Sequence, residues 1–273
     1  MSDALPDALP VPATPRPLAL VTGASSGIGL ALAVILAEHG FDLVVTAEDD
    51  GVEEVATVLG EHGTGVLPVR ADLTEEAGVD ALLAAVADSG RPLDVLALNA
   101  GTGQGGAFVD VPLEDDLRVI ALNVTAVVRL AKALVPGMVA RGEGRVLVTS
   151  STAALMPGPY YSTYAASKAF GLSFAEALRH ELRETGVTVT AVLPGPTDTP
   201  FFEKADMTDT RVGRGPKDDP TKVAREAFEA LMEGRDKIEV RSFKARMQGA
   251  AAAVLPDRAG AAMHAAMTKP DDA

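Results

Sequence analysis

Short runs rich in Val, Leu and Thr alternate with longer Ala/Leu-rich runs along almost the whole chain. Seven short runs predict β-strands: Leu18–Thr22, Asp42–Ala47, Val66–Arg70, Val95–Asn99, Arg145–Ser150, Val187–Leu193 and Lys237–Val240. Six longer runs predict helices: Gly27–Glu38, Val52–Glu61, Glu75–Asp88, Leu113–Arg141, Tyr164–Glu184 and Thr221–Met232. Several strand runs are continuously apolar, as expected when helices cover both faces of a sheet. The alternation therefore predicts an α/β fold with a doubly wound, parallel sheet of about seven strands.

The length of 273 residues suits one such domain with small appendages. We place the domain at residues 18–241. Residues 1–17 hold five prolines and no apolar run of signal-peptide length, so we expect a disordered leader. The irregular stretch 194–220 is predicted to be a lid or substrate-binding loop. Residues 242–273 are predicted to add one or two helices for packing or oligomer contact, from the spacing of apolar Phe243, Met247, Ala250, Ala251 and Val254.

Charge and composition exclude several functions. A net charge of −14 disfavours binding to nucleic acid or to anionic membranes. The absence of Cys removes disulfides, thiolate nucleophiles and zinc-thiolate sites. We expect no metal site either, because the histidines lack ligand spacing and suit helix surfaces or ends: His39, His62, His180 and His264. No run approaches the roughly 20 uninterrupted apolar residues of a membrane span, so we expect a cytoplasmic protein.

The first predicted strand runs into a glycine-rich turn, Gly23-Ala-Ser-Ser-Gly-Ile-Gly29, which opens the first predicted helix. Its spacing, Gly-x-x-x-Gly-x-Gly, differs from the common Gly-x-Gly-x-x-Gly fingerprint. Glycines let backbone amides approach a pyrophosphate, and the helix N-terminus adds a favourable dipole. An ordinary tight turn is the alternative, but the position in the first βα unit favours dinucleotide binding and a Rossmann-type sheet. The candidate cofactor residues here are Gly23, Ser25, Ser26, Gly27, Ile28 and Gly29.

Two carboxylates follow the second predicted strand. Glu48 and Asp49 lie nineteen and twenty residues after Gly29, where an acidic residue would bind the adenosine ribose. A carboxylate there would repel a 2′-phosphate by up to about 4 kcal/mol at a separation of about 4 Å. Neither the glycine turn nor this strand end carries Arg or Lys, so NAD is predicted over NADP. For one of the two residues, Glu48 or Asp49, the alternative is a solvated position in an acidic turn. Asp72 and Leu73, after the third strand, are candidates to face the adenine, although Asp72 also suits a helix N-cap region.

Polar residues also follow the fourth predicted strand and interrupt the fourth predicted helix. Asn99, Ala100 and Gly101 close the strand at the carboxyl edge, where open α/β sheets bind ligands. Asn123 stands in an apolar helical run, and a buried Asn needs hydrogen-bond partners. Asn123 is therefore either a structural residue or part of a proton relay.

Tyr164 and Lys168 lie one helical turn apart on the same helix face, thirteen residues or more after Ser151. A neighbouring ammonium favours the phenolate, so we expect Lys168 to lower the pKa of Tyr164 from its usual value of about 10. Bringing that pKa towards neutrality needs roughly 3–4 kcal/mol, which one cation and a cationic nicotinamide could supply. With such a pKa, Tyr164 would be a general acid/base that can exchange a proton with an alcohol. A surface aromatic beside a solvated Lys is the alternative.

Taken together, these residues resemble the short-chain dehydrogenase/reductase family from Leu18 to about Val240. The resemblance makes Asn99-Ala-Gly101 a sheet-stabilising motif, and Pro194, Gly195, Thr197 and Thr199 the segment that contacts the nicotinamide carboxamide. It also implies four active-site residues: Asn123, Ser151, Tyr164 and Lys168. Lys168 would hydrogen-bond the nicotinamide ribose, Asn123 would hold a water, and Ser151 would stabilise the substrate oxygen.

The resulting hypothesis is an NAD(H)-dependent oxidoreductase that transfers hydride between nicotinamide and a secondary alcohol or ketone. The alternatives are an NADPH-dependent carbonyl or 3-oxoacyl reductase and a non-catalytic NAD-binding regulator. Apolar loop residues predict a mainly apolar substrate pocket, with Tyr160 and Tyr161 as wall residues. By the same resemblance we expect a homodimer or homotetramer formed through the two long helices.

Overall fold

A computed structural model describes residues 16–61, 63–240 and 257–270 of the chain. Its sheet has seven parallel strands in the order β3-β2-β1-β4-β5-β6-β7. The strands are β1 Leu18–Thr22, β2 Asp42–Ala47, β3 Val66–Arg70, β4 Val95–Leu98, β5 Gly144–Thr149, β6 Val187–Pro194 and β7 Lys237–Val240. The strand order reverses between β1 and β4. This reversal creates, at the carboxyl edge of the sheet, the topological switch point at which open α/β sheets bind ligands.

Helices connect the strands and cover both faces of the sheet. Before β5 they are α1 Gly27–Glu38, α2 Gly51–Gly60, α3 Glu76–Asp88, α4 Leu113–Ile120 and α5 Val127–Arg141. After β5 they are α6 Ser162–Leu182, α7 Phe201–Lys204, α8 Arg211–Arg214, α9 Pro220–Met232 and α10 Asp257–Thr268. A π-helical segment, Ala121–Ala126, joins α4 to α5, and a 3₁₀ turn, Thr152–Leu155, follows β5.

Two apolar layers hold the sheet. On one face, α1, α2 and α9 bury large side chains such as Leu36, Leu59 and Leu231. On the other face, α3 and α5 bury Leu82 and Met138 against the strands. Each fully buried side chain of this size stabilises the fold by about 1.5–3 kcal/mol relative to an exposed one. The strand ends that carry the candidate site are therefore fixed by core packing from both sides.

The predicted fold class is confirmed, and local boundaries differ in a few places. The predicted helix Leu113–Arg141 is interrupted by the π-helical segment, and the predicted loop 194–220 contains α7, α8 and a parallel bridge from Thr197 to Asp218. The leader up to residue 15, His62 and the apolar residues of the C-terminal segment, Phe243, Met247, Ala250, Ala251 and Val254, lie outside the described residues.

One described run, Leu113–Arg141, is long and apolar enough by length and composition to cross a membrane. In the structure, this run packs on the sheet through the buried side chains of Leu130, Val135 and Met138. A core helix of an α/β domain passes the same compositional test. We therefore treat Leu113–Arg141 as part of the domain.

Candidate active site

A cavity of about 1310 Å³ lies at the carboxyl edge of the sheet, over the point where the strand order reverses. Every residue that the sequence analysis proposed for cofactor binding lines this cavity. They are Gly23, Ser25, Ser26, Gly27, Ile28, Gly29, Glu48, Asp49, Asp72, Leu73, Asn99, Ala100, Gly101, Tyr164, Lys168, Pro194, Gly195, Thr197 and Thr199. Ser151 lines it too, whereas Asn123 is not among the described lining residues.

The glycine turn brings bare backbone to the cavity. Gly23 and Gly27 have φ angles of 67° and 57°, in the left-handed region that favours glycine. A Cβ at Gly29 would lie 2.0 Å from the Gly23 carbonyl oxygen, so no side chain fits there. Ser26 is the N-cap of α1, and its side chain makes no capping hydrogen bond. The turn thus fits a phosphate, which a helix N-terminus and a spare hydroxyl would bind.

Asn99 joins three strands beneath the cavity. Its Nδ2 donates to the Thr22 carbonyl at 3.0 Å, and its Oδ1 accepts from the Thr149 hydroxyl at 3.1 Å. The Thr22 hydroxyl in turn accepts from the backbone N–H groups of Asn99 and Ala100, each at 2.9 Å. These bonds fix the end of β4 to β1 and β5, which supports a structural role for Asn99.

The carboxylates at the acidic end of the cavity pair with two cations that the local sequence did not reveal. Arg118 of α4 approaches Glu48 to 2.5 Å and Asp72 to 3.9 Å. Lys204 of α7 lies 3.7 Å from Glu48 and 4.0 Å from Asp49. The glycine turn and this strand end carry no Arg or Lys of their own, but folding brings both cations to them from distant segments. All these side chains are partly exposed, so each pair stabilises the fold by only about 0–1 kcal/mol.

The other carboxylates at this end have local partners. Asp49 accepts hydrogen bonds from the Ser25 hydroxyl and the Gly51 N–H, both at 3.1 Å. Asp72 accepts from the hydroxyl and N–H of Thr74, at 2.7 and 2.9 Å. Burial opposes ionisation of Asp72, but these hydrogen bonds outweigh it and lower the pKa of the carboxyl.

At the opposite end, Tyr164 and Lys168 face the cavity from α6, and Ser151 faces it from the end of β5. Lys168 is 7% exposed, and its Nζ donates to the Thr149 carbonyl at 3.0 Å. The same Nζ lies 5.8 Å from the centroid of the Tyr164 ring. An amine, a phenol and a hydroxyl therefore meet where a substrate oxygen could be bound.

The pKa values of this group differ from expectation. Burial raises the pKa of Tyr164 to about 12, although a hydrogen bond with Ser151 acts to lower it. Burial also lowers the pKa of Lys168 to about 8. The prediction that Lys168 pulls the phenol towards neutrality is therefore wrong for the protein chain itself. Removal from water disfavours the charged form of each group, the phenolate of Tyr164 and the ammonium of Lys168.

Asn123 lies behind the cavity, in the π-helical segment. Its Nδ2 donates to the Thr102 carbonyl at 2.8 Å and to the Ser167 hydroxyl at 2.9 Å, and its Oδ1 accepts from the Thr102 N–H at 3.0 Å. The Ser167 hydroxyl in turn donates a hydrogen bond to the Tyr164 carbonyl at 2.7 Å. Both amide protons of Asn123 are thus used within the protein, which favours the structural alternative.

The C-terminal helix brings residues to the cavity that sequence reasoning missed. His264, Met267 and Thr268 of α10 line its substrate end with Tyr161. His264, interpreted above as a helix-surface residue, places Nε2 2.6 Å from the Tyr161 hydroxyl oxygen. The two residues are 103 positions apart, so no local pattern links them. Phe201 of α7 completes this end, with its ring centroid 5.1 Å from that of Tyr164.

The comparisons with known proteins agree with this geometry. The family described as short chain dehydrogenase matches residues 17–210. Oxidoreductase UcpA of Salmonella typhimurium is 34% identical over 214 residues, which cover 78% of this chain and 79% of that relative. The chain belongs to the short-chain dehydrogenase/reductase family. It is thus a member of an oxidoreductase family, as the motifs predicted.

Solved structures of short-chain dehydrogenases share its fold. One, from Sphingobium yanoikuyae in complex with NADPH, is 33% identical with a TM-score of 0.78, covering 87% of this chain and 93% of that one. Another, from Burkholderia phymatum in complex with NAD, is 29% identical with a TM-score of 0.77, covering 82% and 88%. Similar family members therefore bind either nicotinamide cofactor. The glycine turn of this short-chain dehydrogenase and its lined cavity fit such a dinucleotide.

Proposed function

We propose that this short-chain dehydrogenase interconverts a secondary alcohol and a ketone with NAD(H), using Tyr164 as the general acid/base. The observation that supports this function best is one continuous cavity. One end holds the glycine turn and Glu48, and the other holds Tyr164, Ser151 and Lys168. A protein that only sensed the cofactor would not need the three polar groups at the second end.

The residues at that end have separable tasks. When bound, the nicotinamide accepts or donates the hydride. In alcohol oxidation, the Tyr164 oxygen takes the hydroxyl proton, and the Ser151 hydroxyl hydrogen-bonds the substrate oxygen as its charge changes. Lys168 can take up or release the proton that Tyr164 exchanges with the substrate, because its own pKa is about 8. Apolar Phe201 shields this proton transfer from bulk water.

The preference for NAD rests on Glu48. Its carboxylate lines the cavity at the strand end where an acidic residue binds the ribose hydroxyls and repels a 2′-phosphate. Arg118 and Lys204 favour the second candidate, an NADPH-dependent reductase, because a 2′-phosphate could replace Glu48 as the anion with which they pair. Glu48 offsets the charge of Arg118, so we infer that NAD is the better ligand.

The proposed function is tested by a panel of secondary alcohols with NAD, followed by the absorbance of reduced cofactor. We expect turnover of at least one alcohol, and tighter binding of NAD than of NADP in a parallel titration. Turnover of ketones with NADPH alone would favour the second candidate. No turnover with either cofactor would contradict both enzymatic proposals.

We also propose that the protein acts in the cytoplasm as a homodimer or homotetramer. Four large apolar residues are exposed along one helical run: Leu113, Leu117, Ile120 and Val128. Contiguous exposed apolar surface marks interaction sites, and a second copy of the chain would cover it.

A further inference from the structure

The hydrogen bonds of His264 determine which atom donates in the contact between His264 and Tyr161. His264 Nδ1 lies 2.9 Å from the carbonyl oxygen of Pro157. A carbonyl only accepts, so Nδ1 carries the imidazole proton and Nε2 of the neutral ring is an acceptor. Burial, which lowers the pKa of His264, favours this neutral form. The Tyr161 hydroxyl, 2.6 Å from Nε2 and 3.4 Å from Nδ1, therefore donates to Nε2.

This network leaves the Tyr161 oxygen as an acceptor. Its proton is committed to His264, and a lone pair remains. Tyr161 lines the cavity, and its ring centroid is 5.8 Å from that of Tyr164. Burial and the charge of an ionised Tyr164 both raise the pKa of Tyr161, so its hydroxyl keeps the proton that it donates to His264.

Most of the surrounding wall is apolar. Tyr161 belongs to a hydrophobic cluster with Phe202 and Met207, and Phe201 packs against this cluster; all three side chains also line the cavity. A hydrogen-bond acceptor within an apolar wall discriminates between ligands, because a wrong group there leaves polar atoms unpaired. Tyr161 is therefore placed to select among substrates by the group they present to it.

We propose that Tyr161 is a specificity-determining residue that accepts a hydrogen bond from a second hydroxyl group, close to the reacting carbinol of the substrate. This inference rests on the proposed function and names its substrate class. The substrates are vicinal or 1,3-diols and the matching hydroxyketones, with an apolar remainder. An ether, a carbonyl or a carboxylate at the same place would set acceptor against acceptor and bind less well.

The position of α10 does not depend on Tyr161 alone. The Thr268 hydroxyl donates to the Pro159 carbonyl at 2.8 Å, and His264 keeps its own bond to Pro157. Tyr161→Phe should therefore remove the acceptor and leave α10 in place. Tyr160→Phe is the matched control, since Tyr160 is adjacent but is not among the described residues that line the cavity.

The test compares kcat/KM with NAD for hexan-2-ol, hexane-2,3-diol and 3-methoxyhexan-2-ol. In the wild type we expect the diol to exceed hexan-2-ol by about three- to tenfold, the worth of one neutral hydrogen bond. In Tyr161→Phe the ratio of diol to hexan-2-ol should fall to about one, whereas Tyr160→Phe should keep the wild-type ratio. Calorimetric binding to the protein saturated with NADH should show the same order.

His264→Phe tests the direction of the proton. Without the Nε2 acceptor, the Tyr161 proton is free to donate, so the ratio of diol to methoxy alcohol should fall. An unchanged ratio in His264→Phe, a diol preference that survives in Tyr161→Phe, or no preference in the wild type would overturn the inference. Oxidation of hexan-2-ol without a diol preference would sink only this inference, whereas no oxidation of any alcohol would sink the proposed function as well.

Discussion

At the scale of single residues, a buried amine and a buried phenol share one route for the substrate proton. Lys168 has a pKa of about 8 and Tyr164 a pKa of about 12, so the first proton to leave the pair comes from the amine. Alcohol oxidation needs the pair to have lost a proton before it accepts one. The apparent pKa seen in kinetics belongs to the pair and not to either residue.

We therefore predict that kcat/KM for oxidation rises with pH and levels off above pH about 8. The sign follows because the deprotonated pair is the form that accepts a proton. Ketone reduction should fall over the same range. In Lys168→Met the inflection should move upward, towards the titration of Tyr164. An inflection that stays in place in Lys168→Met, measured with NAD over roughly pH 6 to 10, would contradict this assignment.

Glu48 governs cofactor choice at the same scale. Glu48→Gln removes the charge that repels a 2′-phosphate and leaves Arg118 and Lys204 with one anion fewer. We predict that the ratio of the Kd values for NADPH and NADH falls by about 5- to 150-fold, from a change of roughly 1–3 kcal/mol. Glu53→Gln, on the exposed face of α2, is the control. Equal ratios in both variants and the wild type, from fluorescence titration, would show that Glu48 does not select.

At the scale of elements, the π-helical segment turns Asn123 towards the loop after β4. There the amide satisfies both backbone groups of Thr102 and the Ser167 hydroxyl. π-helical segments interrupt helices mostly at functional sites, and this one places its polar residue directly behind Lys168 and Gly101.

Asn123→Leu should therefore destabilise the fold. The substitution leaves the Thr102 N–H and carbonyl without their partner in a partly buried place, at a cost of up to about 1–3 kcal/mol per group. We expect a lower urea midpoint with an unchanged slope, whereas the exposed neighbour Thr125→Val should change the midpoint little. A stability equal to the wild type would argue against the structural role.

The elements show where sequence reasoning succeeds. Strand and helix positions follow from apolar runs and periodicity, so the sheet and the glycine turn at Gly23 were predictable. The π-helical interruption was not predictable, because the apolar residues around Asn123 also suit an uninterrupted α-helix. The contacts of Arg118 with Glu48 and of His264 with Tyr161 were also hidden, since they join residues 70 and 103 positions apart through tertiary packing. The pKa of Tyr164 depends on burial, which a helical spacing does not report.

At the scale of the whole molecule, the two apolar layers leave one helical face uncovered. Leu113 and Leu117 are 68% and 52% exposed on α4, beside a net charge of −14 that would otherwise keep copies apart. We predict a dimer or tetramer by light scattering that Leu117→Lys shifts towards the monomer. Val58→Lys, on α2 with 55% exposure, is the matched control. A monomeric wild type, or equal effects of both variants, would refute this interface.

The strand order reverses between β1 and β4, and this reversal forms the cavity that both Tyr164 and the glycine turn line. The most direct measurement is single-turnover oxidation by Tyr164→Phe with saturating NAD. We predict a rate about 10²- to 10⁴-fold below the wild type, the usual share of general acid/base catalysis, with NAD binding unchanged in calorimetry. A rate close to the wild type with NAD bound would contradict the account.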